Sequence, residues 1–233
     1  HRQGRGIPPE GQRGARGQGG AAALQKDLLR QVGAAVYGGK SGQGTVHPVG
    51  VFLQFALFPG CPEADARSAV EKAARNPQFY IDLDKCQYAA SYEGTQALIA
   101  GELAFDALAK ELSRLSQNPV MLLYLCDGDF WGYDFYGGKE EDHFSTMPDY
   151  FDSISQAEKE RLAGNPAVLA GWFPIWDQAL LSRYLLHWTD HEEELEEECF
   201  ACSGDRFPYG DCWQGTDFAA QLGFPWPFDQ AME

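Results

Sequence analysis

The sequence predicts an α+β protein: an antiparallel sheet with two helices on one face, the ferredoxin-like split βαβ plan, followed by a helical, aromatic-rich C-terminal region. Three observations carry that expectation. Val120–Cys126 is wholly apolar, as a strand covered on both faces requires, and it leads into alternation through Trp131, Tyr133 and Phe135. Gly137-Gly138 marks a hairpin turn after it. Asn-Pro pairs at 76–77, 118–119 and 165–166 punctuate the chain, because proline bars the residue before it from helical geometry.

The elements follow in order. Residues 1–20 form a low-complexity Gly/Arg leader, read as disordered. Residues 21–45 hold a helix, with Leu24, Leu28, Val32 and Val36 on one face, and a Gly-rich linker. The sheet domain spans 46–150. It opens with a strand at 49–58 and a helix at 62–75, which has Pro62 in its first turn and Glu63 and Asp65 near its positive end. A strand or hairpin at 79–92 follows, then a helix at 103–115, the strands at 120–136, and one at about 140–145. From 151 to 233 the pattern turns helical: 155–162, 166–173 with Asn165 as its cap, and 176 to about 197. A loop-rich tail of Trp, Phe and Pro closes the chain and packs on the sheet.

At 233 residues the chain is long enough to bury its own core. Its formal charge is −16 and unevenly spread. Residues 1–30 carry six basic and two acidic groups, a balance of +4, so the remainder holds −20. A body this acidic repels phosphate backbones, so no nucleic acid is expected as its partner; a basic protein partner fits. No run of about eighteen apolar residues offers a membrane span. His rather than Met at position 1 reads as a fragment, a processed product or a truncated gene model. Six scattered Cys without a secretion signal read as reduced thiols in the cytoplasm.

Four groups of residues invite a chemical reading. Ala34–Ser41, AAVYGGKS, resembles a degenerate phosphate loop in which Lys40 and Ser41 would reach phosphate and magnesium. The Gly/Pro-rich stretch after it does not supply the helix such a loop needs. His187 and His191, spaced one helical turn apart, with Cys199 and Cys202 just beyond, offer the four ligands of a structural zinc site. Otherwise no cofactor is expected. Asp82 and Asp84, and the group Asp127, Asp129 and Asp134, read as solvated carboxylates, and no Ser sits in a nucleophile elbow, so catalytic residues are expected to be none. The hairpin itself, through Trp131, Tyr133, Tyr136, Glu140, Glu141 and Asp142, presents acid beside aromatic rings, the composition of a surface for a basic partner.

Two stretches, FWGYDFYGGKEEDHFSTMPDYF at 130–151 and YGDCWQGTDFAAQLGFPWP at 209–227, resemble those of a poorly characterised family of bacterial cytoplasmic proteins without assigned activity. That resemblance, over about residues 47–228, implies a globular cytoplasmic protein and no catalytic residue. The function expected is a non-enzymatic, soluble binding or regulatory module that masks a basic protein, as immunity proteins do. A zinc-binding protein and a nucleotide-binding enzyme are the alternatives.

Overall fold

The computed structural model describes residues 52–102, 105–126, 128–173, 175, 177–191 and 199–228. The leader, the expected helix at 21–36 and the phosphate-loop-like Ala34–Ser41 lie outside them, as do Asp127, Trp176 and the glutamates at 192–194 and 196–198.

The protein is mixed α+β, built on a six-stranded sheet in which every neighbouring pair is antiparallel. Its strands are β1 (Phe52–Pro59), β2 (Gln87–Ser91), β3 (Gly94–Ile99), β4 (Val120–Cys126), β5 (Phe130–Gly137) and β6 (Glu140–Ser145), in spatial order β2-β3-β1-β4-β5-β6. The helices are α1 (Glu63–Ala73), α2 (Phe105–Ser116), α3 (Gln156–Arg161), α4 (Pro166–Leu169), α5 (Gln178–Leu181) and α6 (Gln214–Gln221), with a 3₁₀ turn at Trp188–Asp190.

Side-chain alternation along the strands divides the interior in two. Ala56, Phe58, Ala97, Ile99, Val120 and Leu122 share one cluster with Ala66, Ala69, Val70 and Ala73 of α1 and Leu108, Ala109 and Leu112 of α2. The intervening residues Phe55, Leu57, Met121, Leu123, Trp131, Tyr133 and Phe135 form the other, closed by Leu169, Phe173, Tyr184, Phe218 and Phe224. β4 is therefore buried along its whole length, as its unbroken apolar run requires. Asp217 ties α6 to the loop before it: its buried carboxylate accepts the Arg206 and Phe207 backbone N–H groups at 2.8 and 2.9 Å.

Three expectations need correction. The strand expected at 79–92 is confined to Gln87–Ser91. Lys85 N–H donates to the Asp82 carbonyl and its ammonium pairs with the Asp82 carboxylate at 3.2 Å, so the apparent alternation around Ile81 and Leu83 is a turn. β2 instead pairs with β3, a strand that the sequence reading passed over. Of the helix expected from 176 to 197, the described residues hold one α-helical turn, Gln178–Leu181, capped by the Asp177 carboxylate. Ser182 Oγ donates back to the Gln178 carbonyl at 2.8 Å, a local bond that competes with continuation. Finally, the tail is not all loop, because Gln214–Gln221 is helical.

Candidate functional site

The β5–β6 hairpin was the expected binding surface, and its register decides which of its side chains reach solvent. Gly137 pairs with Glu140, so the two turn residues are Gly138 and Lys139 rather than Gly137-Gly138. Gly138 takes a φ of +64° at the first central position, the place where a II′ hairpin turn needs glycine. Counting back, Tyr136 stands opposite Glu141, Phe135 opposite Asp142, and Asp134 opposite His143.

Half of the expected patch is interior. Trp131 and Tyr133 are completely buried, because the C-terminal segment covers the face they share. Trp131 Nε1–H donates to Gln214 Oε1 at 3.2 Å. Asp142 is buried too: its Oδ2 accepts the Tyr133 hydroxyl at 2.7 Å and the Asn165 backbone N–H at 2.9 Å. These three residues hold the hairpin against the C-terminal segment and do not face solvent. Tyr136 is half-buried, and its hydroxyl donates to Asp106.

Glu140 and Glu141 remain exposed at the turn. Glu140 Oε2 accepts the indole N–H of Trp172 at 2.6 Å, which fixes a carboxylate beside an aromatic ring. Antiparallel pairing brings this turn to the same end of the sheet as Pro59 and Gly94. There an open groove of about 710 Å³ is lined by Cys61, Glu63, Tyr92, Glu93, Pro119 and Trp172, among others. Tyr92 is almost fully exposed at the β2–β3 turn. The result is an end of the sheet where Glu63, Glu93 and Glu140 accompany Tyr92 and Trp172. Neither Tyr92 nor Trp172 was singled out for binding; antiparallel pairing of β1, β3, β4 and β5 is the signal that gathers these turns.

The expected zinc ligands do not assemble. His187 and His191 flank a 3₁₀ turn instead of sitting one α-helical turn apart. One ring nitrogen of His187, Nε2, is 3.0 Å from the Leu162 carbonyl, and Nδ1 is 3.7 Å from Asp190. Cys202 is buried beside Tyr184. No three donors among His187, His191, Cys199 and Cys202 converge; among the described residues the group that does is Asp106, Asp134 and His143. The described residues hold no disulfide. Burial pushes the Cys61 thiol up to about 11 and the Cys212 thiol up to about 12, so neither is an activated nucleophile.

Burial also raises the Asp134 and Asp142 carboxyls above the usual carboxylate range; hydrogen bonds from His143 and from Asn165 and Tyr133 oppose this only in part. For each, the folded protein holds its proton more tightly than the unfolded chain does. Their contribution to stability is thus most favourable below the unfolded pKa of about 3.9 and is lost as pH rises through the raised folded value. Asp142→Asn removes one of these titrations. Denaturant unfolding at steps from about pH 4 to about pH 7 will show a shallower decline in the variant than in the parent. Identical slopes would refute the account.

Comparison with family models, curated proteins and solved structures finds no match to this chain. Among the described residues, no helix is long and apolar enough to cross a membrane.

Proposed function

We propose that this protein is a non-enzymatic binding module whose acidic sheet end engages a basic protein partner. The single observation that carries the reading is the groove where Tyr92 and Trp172 stand beside Glu63, Glu93 and Glu140. A Lys or Arg side chain finds there both carboxylates and ring faces, the two features that recognise it. The formal charge of −16 supplies a field that steers such a partner inward, raising on-rate more than affinity. The surface differs from the one expected from sequence: Glu140 and Glu141 stay in it, while Trp131, Tyr133 and Asp142 leave it.

The fold reading consistent with this role is a split βαβ, ferredoxin-like unit comprising β1, α1, β2, β3, α2 and β4. Support comes from the spatial order β2-β3-β1-β4 and from the shared cluster of α1 and α2. β5 and β6 extend that unit, and described residues between 151 and 228, helical only in short stretches, pack on its other face.

The test begins with a basic protein recovered by cross-linking and then purified. Glu140→Lys with Glu141→Lys will slow its association about tenfold and flatten its dependence on salt, without loss of fold. Tyr92→Ala will accelerate its dissociation. Association unchanged by both substitutions would sink the proposal.

A further inference from the structure

The face that carries α1 and α2 holds a second constellation, separate from the acidic end. Asp134 on β5 and His143 on β6 are directly opposed, with His143 Nδ1 2.6 Å from Asp134 Oδ1. Both side chains are more than nine-tenths buried. Asp106, from the first turn of α2, adds a third donor from the solvent side, and one ligand atom of each residue lies within 4.8 Å of the others. The Tyr136 hydroxyl donates to Asp106 Oδ1.

The plainer account is an imidazole–carboxylate pair that ties β5 to β6. That account needs two groups, and three converge. A second carboxylate brought to a buried carboxylate is repulsive unless positive charge sits between them. Arg161 is the neighbouring guanidinium, and its charge acts on Asp106 and Asp134 from a distance. Its Nε–H and Nη2–H groups donate to Glu158 Oε1, at 3.1 and 2.9 Å, so it does not sit between the two carboxylates. The Lys110 ammonium lies over the Tyr136 ring, 5.5 Å from its centroid. The donors are also of a coherent kind. They comprise one imidazole nitrogen and two carboxylate oxygens from three separate elements, and a phenol steadies the exposed carboxylate as an outer-shell partner of a metal ligand does.

We infer that Asp106, Asp134 and His143 form a binding site for a divalent transition metal of the zinc class, with three protein donors and an open fourth position towards solvent. Imidazole with two carboxylates suits Zn²⁺ or Mn²⁺, whereas Ca²⁺ asks for six or more oxygens. Bonds of about 2.0–2.2 Å place tetrahedral donors about 3.4 Å apart. The cluster reaches that spacing when the exposed Asp106 side chain turns inward and His143 Nδ1 and Asp134 Oδ1 draw apart from 2.6 Å, exchanging their mutual contact for the metal.

Calorimetric titration of the full, chelator-treated chain with ZnCl₂ tests the site. One equivalent is expected to bind. Asp106→Asn, at an exposed position, abolishes binding while the circular dichroism spectrum is retained. Tyr136→Phe weakens binding about tenfold, the usual cost of losing an outer-shell partner, and His187→Ala leaves it unchanged. Mn²⁺ added to the parent protein broadens the His143 ring resonances, a readout that needs no variant to fold. No saturable Zn²⁺ binding, binding indifferent to Asp106→Asn, loss of binding in His187→Ala, or unbroadened His143 signals would each overturn the inference.

Discussion

Trp131→Ala is expected to lower the unfolding free energy by about 3–5 kcal/mol, a large share of the roughly 5–15 kcal/mol that holds a domain folded. The indole is completely buried and packs against Phe144 and Phe218 with ring centroids 5.0 Å away in each case. Truncation opens a cavity at the junction of β5, β6 and α6. It also strips Gln214 Oε1 of its donor, and Gln214 is itself fully buried, so a desolvated acceptor adds to the cost. The denaturant midpoint will fall, and Trp131→Phe will recover part of the loss by refilling the volume without restoring the hydrogen bond. A fall of under about 1 kcal/mol, the range of ordinary surface substitutions, would show that the C-terminal segment does not depend on this ring.

The second large effect is expected at Gly132→Ala. A Cβ there would stand 2.4 Å from both the Phe144 carbonyl oxygen and the Tyr124 hydroxyl, and 2.6 Å from Tyr124 Cζ. The phenol of Tyr124 crosses over the glycine to donate to the Phe144 carbonyl at 3.1 Å. β6 cannot recede, because its register with β5 runs continuously from Gly132–Ser145 to the turn. The ring must leave, forfeiting the buried hydrogen bond, and the contact with the Phe144 carbonyl strains the β5–β6 pairing besides. Overpacking costs about 1–3 kcal/mol, with about 1 kcal/mol more for the bond. A double-mutant cycle separates the two contacts: in a Tyr124→Ala background, Gly132→Ala sheds the ring's share of the penalty and keeps the share set by the Phe144 carbonyl. An equal penalty in both backgrounds would defeat the steric explanation.

How much of this was legible follows from what each signal physically encodes. Val120–Cys126 was readable because a strand covered on both sides cannot carry polar groups, and α2 because Leu108, Leu112 and Leu115 recur at helical spacing. β3 was not, since its Thr95 and Gln96 are buried only by virtue of distant partners. Thr95 Oγ1 donates to the Cys61 carbonyl and Gln96 Nε2 to the Pro225 carbonyl. Alternation placed Trp131, Tyr133 and Phe135 together on one face, but it says nothing of whether that face is wet. The covering comes from the far C-terminal segment, so two intended surface aromatics proved to be core. Asp134 opposite His143 was within reach only once the turn is placed at Gly138-Lys139, because counting back from the expected Gly137-Gly138 turn sets Asp134 against Glu141. Asp106 was not, because only the packing of α2 against the sheet brings it there.

The two faces of the sheet are completed at different moments in the life of the chain. Everything that covers one of them, α1 and α2, is made before β5 and β6, so that layer can close as translation proceeds. The opposite layer waits for Phe173, Tyr184, Phe218 and Phe224. Until the ribosome has delivered them, Phe55, Leu57, Trp131, Tyr133 and Phe135 have no lid. A nascent chain halted anywhere between β6 and α6 would therefore present a broad sticky plane, a natural substrate for holdase chaperones and for proteolytic surveillance. Exposure of that plane is thus timed by the synthesis of residues 169–224, which complete its cover.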